Sequence, residues 1–272
     1  MEIGWYNEIF NVIDNYFQNI RTVSEDGLHV IGALALGSPS FFDSVFDKAY
    51  QYCEFALSQT PSEPEFKGAF LLIADMTKSN PNRMLQHLPK MATFIENTIQ
   101  SQTISRNIKM PAYQLLGDLS LGLGQHIAPY LESFMNLLNI GSMAVLDLGN
   151  SNEIDNVEYS DQLKEKLVEG YICVLHSITD YKRDQIFRNS INGIMSFLDQ
   201  TTNIRVNPTI DYIRTSLHLI LDIVSIYTGD TVQYLNSNCT QNLITHLGRF
   251  SHDENNSNAI LYYQNTKNKF GV

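Results

Sequence analysis

Leu115-Leu116-Gly117-Asp118-Leu119 stands near the middle of the chain and restates a phrase met twice before it and twice after it. The earlier versions are Val30-Ile31-Gly32-Ala33-Leu34 and Leu72-Ile73-Ala74-Asp75-Met76; the later ones are Val174-Leu175-His176-Ser177-Ile178 and Ile220-Leu221-Asp222-Ile223. Each is an apolar run interrupted by a small residue or an aspartate. Taking Ala33, Asp75, Asp118, Ser177 and Asp222 as equivalent, the steps are 42, 43, 59 and 45 residues. Apolar residues around each phrase recur every three or four positions, the spacing of an amphipathic helix.

A period of roughly 40–47 residues filled by helix pairs is the mark of HEAT or armadillo arrays. One such hairpin cannot bury its own apolar face, so it must stack on a neighbour. The pattern predicts an all-α HEAT-repeat α-solenoid, a superhelix of antiparallel helix pairs, running as one continuous body over residues 1–272 with about five and a half repeats. Trp5–Ile20 reads as a second helix without its first. Five pairs follow: Glu25–Leu36 with Phe41–Ser58, Glu65–Lys78 with Asn82–Gln100, Ser105–Leu123 with Ile127–Ile140, Ser160–Thr179 with Arg183–Asp199, and Thr209–Thr228 with Val232–Leu247. A helix over Asn255–Asn268 closes the array. The long step of 59 places its excess in 147–158, a polar, acidic stretch read as an inserted loop, and Gln200–Asn207 reads as a second interruption. Pro111 predicts a kink near Lys109-Met110, because a proline inside a helix removes a hydrogen bond. An exposed apolar face is expected around Trp5, Tyr6, Ile9 and Phe10, where a preceding repeat would pack.

Composition narrows the function. With 8 prolines and 15 glycines in 272 residues, the chain lacks the turn residues of an all-β design. A net charge of −11 disfavours nucleic acid, and composition alone accounts for it equally by basic partners or by solubility. Cys53, Cys173 and Cys239 are too scattered for a zinc clip and odd in number for a disulfide framework, so they read as reduced thiols. The most apolar segment, Leu217–Tyr227, is too short to cross a bilayer and carries Asp222. No membrane partner is expected. The seven histidines show no HExxH spacing, Gly122-Leu123-Gly124 lacks the third glycine of a dinucleotide loop, and no Gly-x-Ser-x-Gly elbow occurs. The chain is therefore read as a binding protein, not an enzyme, and no cofactor is implied.

Longer motifs sharpen this. Ser105-Arg106-Asn107-Ile108-Lys109-Met110-Pro111 leads into Gly117-Asp118-Leu119-Ser120-Leu121-Gly122-Leu123-Gly124 and then Pro129-Tyr130-Leu131-Glu132. Together these resemble the C-terminal HEAT repeats of the importin-β (karyopherin-β) family, where an Arg-x-x-Lys-Pro segment precedes a Gly-Asp helix and a Tyr-Leu-Glu helix. Val157-Glu158-Tyr159-Ser160-Asp161-Gln162-Leu163 sits where that family carries an acidic linker, and Gly27–Leu34 and Tyr262-Tyr263 keep the same register. Full receptors are several times longer, so the chain is expected to correspond to a C-terminal part, with the main Ran contacts in repeats absent here. The resemblance implies nuclear import: importin-α or other basic cargo and FG nucleoporins as partners, with the protein in the cytoplasm, nucleus and nuclear pore or envelope. The alternative is a generic HEAT scaffold subunit organising a multiprotein complex.

Two constellations serve as candidate sites. Glu54, Glu96 and Glu132 fall on successive second helices, which line the concave face of a HEAT solenoid, and Asp199, Asp147, Glu153, Asp155 and Glu158 would extend the stripe. Repeated carboxylates suit a long basic segment, since each Arg or Lys meets a charge-assisted partner. Tyr263 stands where the family places a tryptophan that stacks on basic cargo. On the opposite face, the resemblance implies slots between first helices for the phenylalanines of FG repeats, lined here by Phe66, Phe70, Tyr113, Tyr171 and Ile172, whereas helical spacing alone reads each of these as core.

Overall fold

The computed structural model describes residues 2–20, 22–58, 63–149, 151, 153–177, 181–202 and 208–272, with side chains for all of these except 2, 3 and 181–184. Among the described residues every regular element is a helix. The chain divides into two compact units, Met1–Tyr130 and Leu131–Val272.

The first unit contains α1 (Glu2–Ile20), α2 (Glu25–Gly37), α3 (Pro39–Ser58), α4 (Glu63–Ser79), α5 (Pro81–Met84), α6 (Leu88–Gln100) and α7 (Arg106–Leu123), with 3-10 turns at Leu85–His87 and Gly124–Tyr130. The repeated phrase lies on α2, α4 and α7, and these first helices pack in that order, α2 on α4 and α4 on α7. Leu28 and Ile31 of α2, Leu72, Ile73 and Met76 of α4, and Leu116 and Leu119 of α7 are all fully buried. The seam is continuous because apolar residues three and four apart fall on one helix face. The second helices cover it, α3 against α4 and α6 against α7, while α1 rests on α2 and α3.

The second unit repeats the scheme with α8 (Leu131–Gly149), α9 (Ile154–Ser177), α10 (Tyr181–Thr202), α11 (Ile210–Tyr227), α12 (Asn238–Gly248) and α13 (Glu254–Phe270), plus a 3-10 turn at Gly229–Asn236. First helices α9, α11 and α13 pack in succession, and so do second helices α8, α10 and α12. Side-chain caps begin several helices: Ser24 accepts from the Gly27 amide at 3.2 Å, Thr209 from Tyr212 at 3.1 Å and Asp253 from Asn255 at 2.8 Å. Gly124 ends α7 with φ of 53°, a left-handed angle that favours glycine.

Several expectations need correction. Residues 147–149 and 154–158 are helical where an inserted loop was expected: α8 runs on to Gly149 and α9 starts at Ile154, so the long step is largely taken up by a 19-residue and a 24-residue helix. The acids there were misread because a charged helical end has no apolar face to show. The second interruption starts later than read, since α10 continues to Thr202; 203–207 lie outside the described residues, as do 178 and 179 at the end of the fourth first helix. Second helices two, three and five open with 3-10 turns where the sequence reading ran them straight in; the first two of these regions hold Pro89 and Pro129. Pro111 lies in the second turn of α7, which remains one helix from Arg106 to Leu123. Of the expected apolar face on α1, Trp5 and Ile9 are exposed at 69% and 39%, but Phe10 is buried and Tyr6 stacks on Phe41 at 5.7 Å.

The α4–α7 seam is tight enough to test. A Cβ added at Gly122 would lie 2.6 Å from Thr77 Cγ2, and Thr77 is itself fully buried and donates to Ile73 O at 2.7 Å. Gly122→Ala is expected to destabilise by up to about 2 kcal/mol in urea unfolding, because overpacking of about 1–3 kcal/mol offsets the roughly 1 kcal/mol helix-propensity gain.

Candidate partner-binding surface

The acidic residues predicted to bind basic partners sort into two groups. Glu54 on α3 is already engaged, accepting from Lys90 Nζ of α6 at 2.6 Å. Glu96 of α6 accepts from Gln100 one turn on, at 3.5 Å. The same use of charge recurs along the second helices of this unit. Arg83 of α5 donates to Asp43 Oδ1 at 3.3 Å and to Asp47 Oδ1 at 2.6 Å, with its guanidinium 4.9 Å from the Phe46 ring centre. Asp14 of α1 accepts from Lys48 and Tyr52 of α3. Burial alone would raise the Asp14 pKa, but the bonds from Lys48 and Tyr52 and the Lys48 charge outweigh it and hold the carboxyl below its usual range. Consecutive second helices are thus stapled by ion pairs, and part of the acidic stripe is neutralised from within.

The second group is open. Glu132 in the first turn of α8, Asp147 near its end, and Asp155 and Glu158 at the start of α9 are exposed, with no partner among the described residues. Glu153 accepts from Asn156 at 2.9 Å, and Asp199 on α10 is exposed. Glu132 and Asp147 bracket the same helix, and all of these acids belong to the second unit.

His87 bears on the first unit's stability. Its ring stacks on Tyr50 at 3.6 Å and lies 6.0 Å from Phe46. Burial lowers its pKa, against the opposing pull of Glu54 and Asp47. A histidine whose folded pKa lies below its unfolded value contributes fully above the unfolded pKa and loses that contribution as pH falls through the folded one. The difference in unfolding free energy between wild type and His87→Gln is therefore expected to shrink between pH 7.5 and 5.0, read from urea midpoints at each pH.

Two clefts open beside second helices. One, of about 270 Å³, lies between α1 and α3 and is lined mainly by Phe17, Val23, Tyr52 and Phe55. The other, of about 320 Å³, lies between α8 and α10 over Tyr171 of α9, and none of its lining residues is charged. Neither was located from sequence.

A family model described as "Importin subunit beta-1-like, TPR repeats" matches residues 7–248, most of the chain. The chain belongs to this importin subunit beta-1-like family. Importin subunit beta-1 of Arabidopsis thaliana is 22% identical over 179 residues, covering 65% of this chain and 20% of that protein. The chain therefore spans about a fifth of that relative's length. Among solved structures, importin beta crystallised from ammonium sulfate superposes with a TM-score of 0.83 at 16% identity, over 96% of this chain and 30% of that one. Kap95 in a complex with Nup1 gives a TM-score of 0.75 at 17% identity, over 90% of this chain and 28% of that one. At these identities the likeness establishes the HEAT-repeat helical fold.

Within this importin-β-like chain, the aromatic residues carried over from the family fall mostly inside. Phe66, Phe70 and Tyr113 are buried and build the core; Tyr171 is buried too, beneath the α8–α10 cleft, and Ile172 alone of the five is half-exposed. Phe66 and Phe70 each pack on Phe94 of α6, at 5.8 and 5.9 Å, which closes the hairpin of α4 and α6. Tyr263 is also buried: its hydroxyl donates to Leu235 O at 3.2 Å and accepts from Gln241 at 2.9 Å, and Lys267 lies 5.7 Å from its ring. That ring is not free to stack on a partner. Sequence reasoning missed its neighbour. Tyr262 is 37% exposed and donates to Asp222 Oδ1 at 3.2 Å, while Asp222 Oδ2 lies 2.9 Å from His176 Nε2. The helical register of α13 tells the two tyrosines apart, since Ala259, Tyr263 and Thr266 form its buried stripe.

Proposed function

We propose that the chain is part of a karyopherin-type nuclear transport receptor and that its second unit binds basic segments of cargo or of an importin-α-type adaptor. What carries this reading is the group of open carboxylates Glu132, Asp147, Asp155 and Glu158, set in a protein of net charge −11 whose family is importin-β-like. A cationic helix gains a charge-assisted contact at each open carboxylate and is steered in by the acidic field. Glu54 contributes little, since a partner would first have to displace Lys90. Glu153 and Asp199 of the second unit are proposed as lesser contributors, and Glu96 belongs to the first unit.

Nucleoporin contact is part of the same proposal, because a solved relative is Kap95 bound to Nup1. Ile172 is the remaining candidate for an FG slot. Ran is proposed to act mainly outside this segment. Residence in the cytoplasm, the nucleus and at the pore follows from that role. The test is fluorescence anisotropy with two labelled peptides, an Arg- and Lys-rich helix and an uncharged Phe-Gly repeat. A receptor binds both, the basic one weakening about tenfold or more between 50 and 300 mM salt. Binding of neither peptide would overturn the reading.

A further inference from the structure

The cleft between α8 and α10 differs in character from the acidic surface around it. No residue from Ser133 to Ala144, Val145 and Leu146 on α8 carries a charge, and none from Asn189 to Leu198 on α10. Acids stand at three of the four ends of these stretches, Glu132, Asp147 and Asp199, and Arg188 stands at the fourth. The floor is a closed polar network. Tyr171 is 1% exposed, and its hydroxyl donates to Asn139 Oδ1 at 2.9 Å and lies 3.1 Å from Ser142 Oγ. Burial pushes the Tyr171 phenol well above its ordinary pKa, so this floor stays neutral.

The walls hold hydrogen-bonding groups that the protein leaves unused. Asn139 spends its oxygen on Tyr171, which frees its NH2 group. Asn189 accepts from Gln185 at 2.8 Å and likewise keeps an NH2. Gln200 donates to Ser196 at 3.1 Å and keeps its oxygen. Amide donors and an amide acceptor along one uncharged cleft match a peptide backbone, which offers the complementary pair at every residue. Met143, 67% exposed, and the Phe197 ring add an apolar wall for one side chain.

From this we infer that the α8–α10 cleft is a subsite for an uncharged, extended stretch of a partner polypeptide, held through its main chain, with one small apolar side chain against Met143. The inference is independent of the basic-partner proposal. It adds a salt-insensitive contact where that proposal has a salt-sensitive one. A cation gains no counter-charge inside this cleft, so the subsite selects neutral sequence.

Gly193 of α10 gives a clean block. It borders the cleft, and a Cβ placed there would meet nothing within 4 Å. Gly193→Trp therefore fills the space from an unstrained helical position, and Gly193→Ala is the control that leaves it open. The probe is the capped peptide Gly-Ser-Asn-Leu-Ser-Asn-Gly, titrated to 10 mM into the 15N-labelled full chain, with the side-chain amide signals of Asn139, Asn189 and Gln200 followed by NMR. Expected are saturable shifts of all three signals, less than a twofold change in affinity between 50 and 500 mM salt, wild-type binding in Gly193→Ala, and at least tenfold loss in Gly193→Trp. Asn139→Ala with Asn189→Ala is expected to lose at least fivefold while both the Gly193 variants and wild type keep the same far-ultraviolet helix signal. The inference is overturned by absent shifts, by undiminished binding in Gly193→Trp, or by a peptide with both Asn changed to Lys shifting the same signals more strongly in a salt-dependent way.

Discussion

Ile73→Ala is expected to lower the unfolding free energy of the first unit by about 2–5 kcal/mol, enough to consume much of the stability of a small helical domain. Ile73 is fully buried at the centre of α4, the helix that packs on α2 on one side and α7 on the other. Truncation removes three carbons from the place where two inter-repeat contacts meet. The surroundings cannot collapse onto the space, because Thr77 is bonded to the Ile73 carbonyl and held against Gly122. Urea unfolding followed by circular dichroism checks this. The same truncation at the exposed Leu36, which is 50% accessible, is expected to cost under about 1 kcal/mol.

The second large effect concerns a nearly buried charge in the second unit. Lys164 on α9 is 4% exposed, bonded to Asp161 one turn earlier, with its ammonium 5.0 Å from the Tyr212 ring centre. Asp161→Ala leaves that ammonium with the ring alone and is expected to cost about 2 kcal/mol. This is below the usual 3–5 for breaking a buried pair, because the Asp161 side chain retains 29% exposure and water replaces part of the contact. Lys164→Met removes the charge with similar volume and is expected to cost under about 1 kcal/mol, since well-packed apolar replacement avoids the desolvation penalty. Thermal or urea unfolding of the two variants gives the ranking. Equal losses would mean that the aliphatic stem of Lys164 matters more than its charge.

The repeated phrase made the fold legible because it states the seam directly. Leu72, Ile73, Leu116 and Leu119 are its apolar letters, and all four are buried between first helices. Helix ends were less legible. In the 147–158 stretch Leu148, Ile154 and Val157 stand too sparsely among polar residues to show a helical period, yet Asp147 and Asp155 are helical. The acidic residues were found as a class, but whether a carboxylate is open depends on a cation on another helix, as Lys90 is for Glu54, 36 residues away. No local pattern encodes that pairing. Aromatics were the weakest guide. Phe66, Phe70 and Tyr113 look alike whether they line a groove or fill a core, and burial decides for the core. The uncharged runs on α8 and α10 were visible in the sequence, but only packing shows that they face one another across a cleft.

The acidic surface as the seat of basic partners is most directly tested by the salt dependence of one affinity in two proteins. An Arg- and Lys-rich helical peptide is titrated into wild type and into the variant Glu132→Gln, Asp147→Asn, Asp155→Asn, Glu158→Gln at 50, 100, 200 and 300 mM salt. Among the described residues these four make no hydrogen bond or ion pair, so the variant keeps the contacts of the fold, and its loss of stability is limited to the helix-dipole terms of Glu132 and Asp155, about 0.3–1 kcal/mol each. Four exposed charge contacts of about 0.2–1 kcal/mol each sum to about 0.8–4 kcal/mol, a loss of about fourfold at the least and up to about a thousandfold at low salt, with a visibly flatter salt slope in the variant. Equal affinity and equal slope in the two proteins would contradict the account.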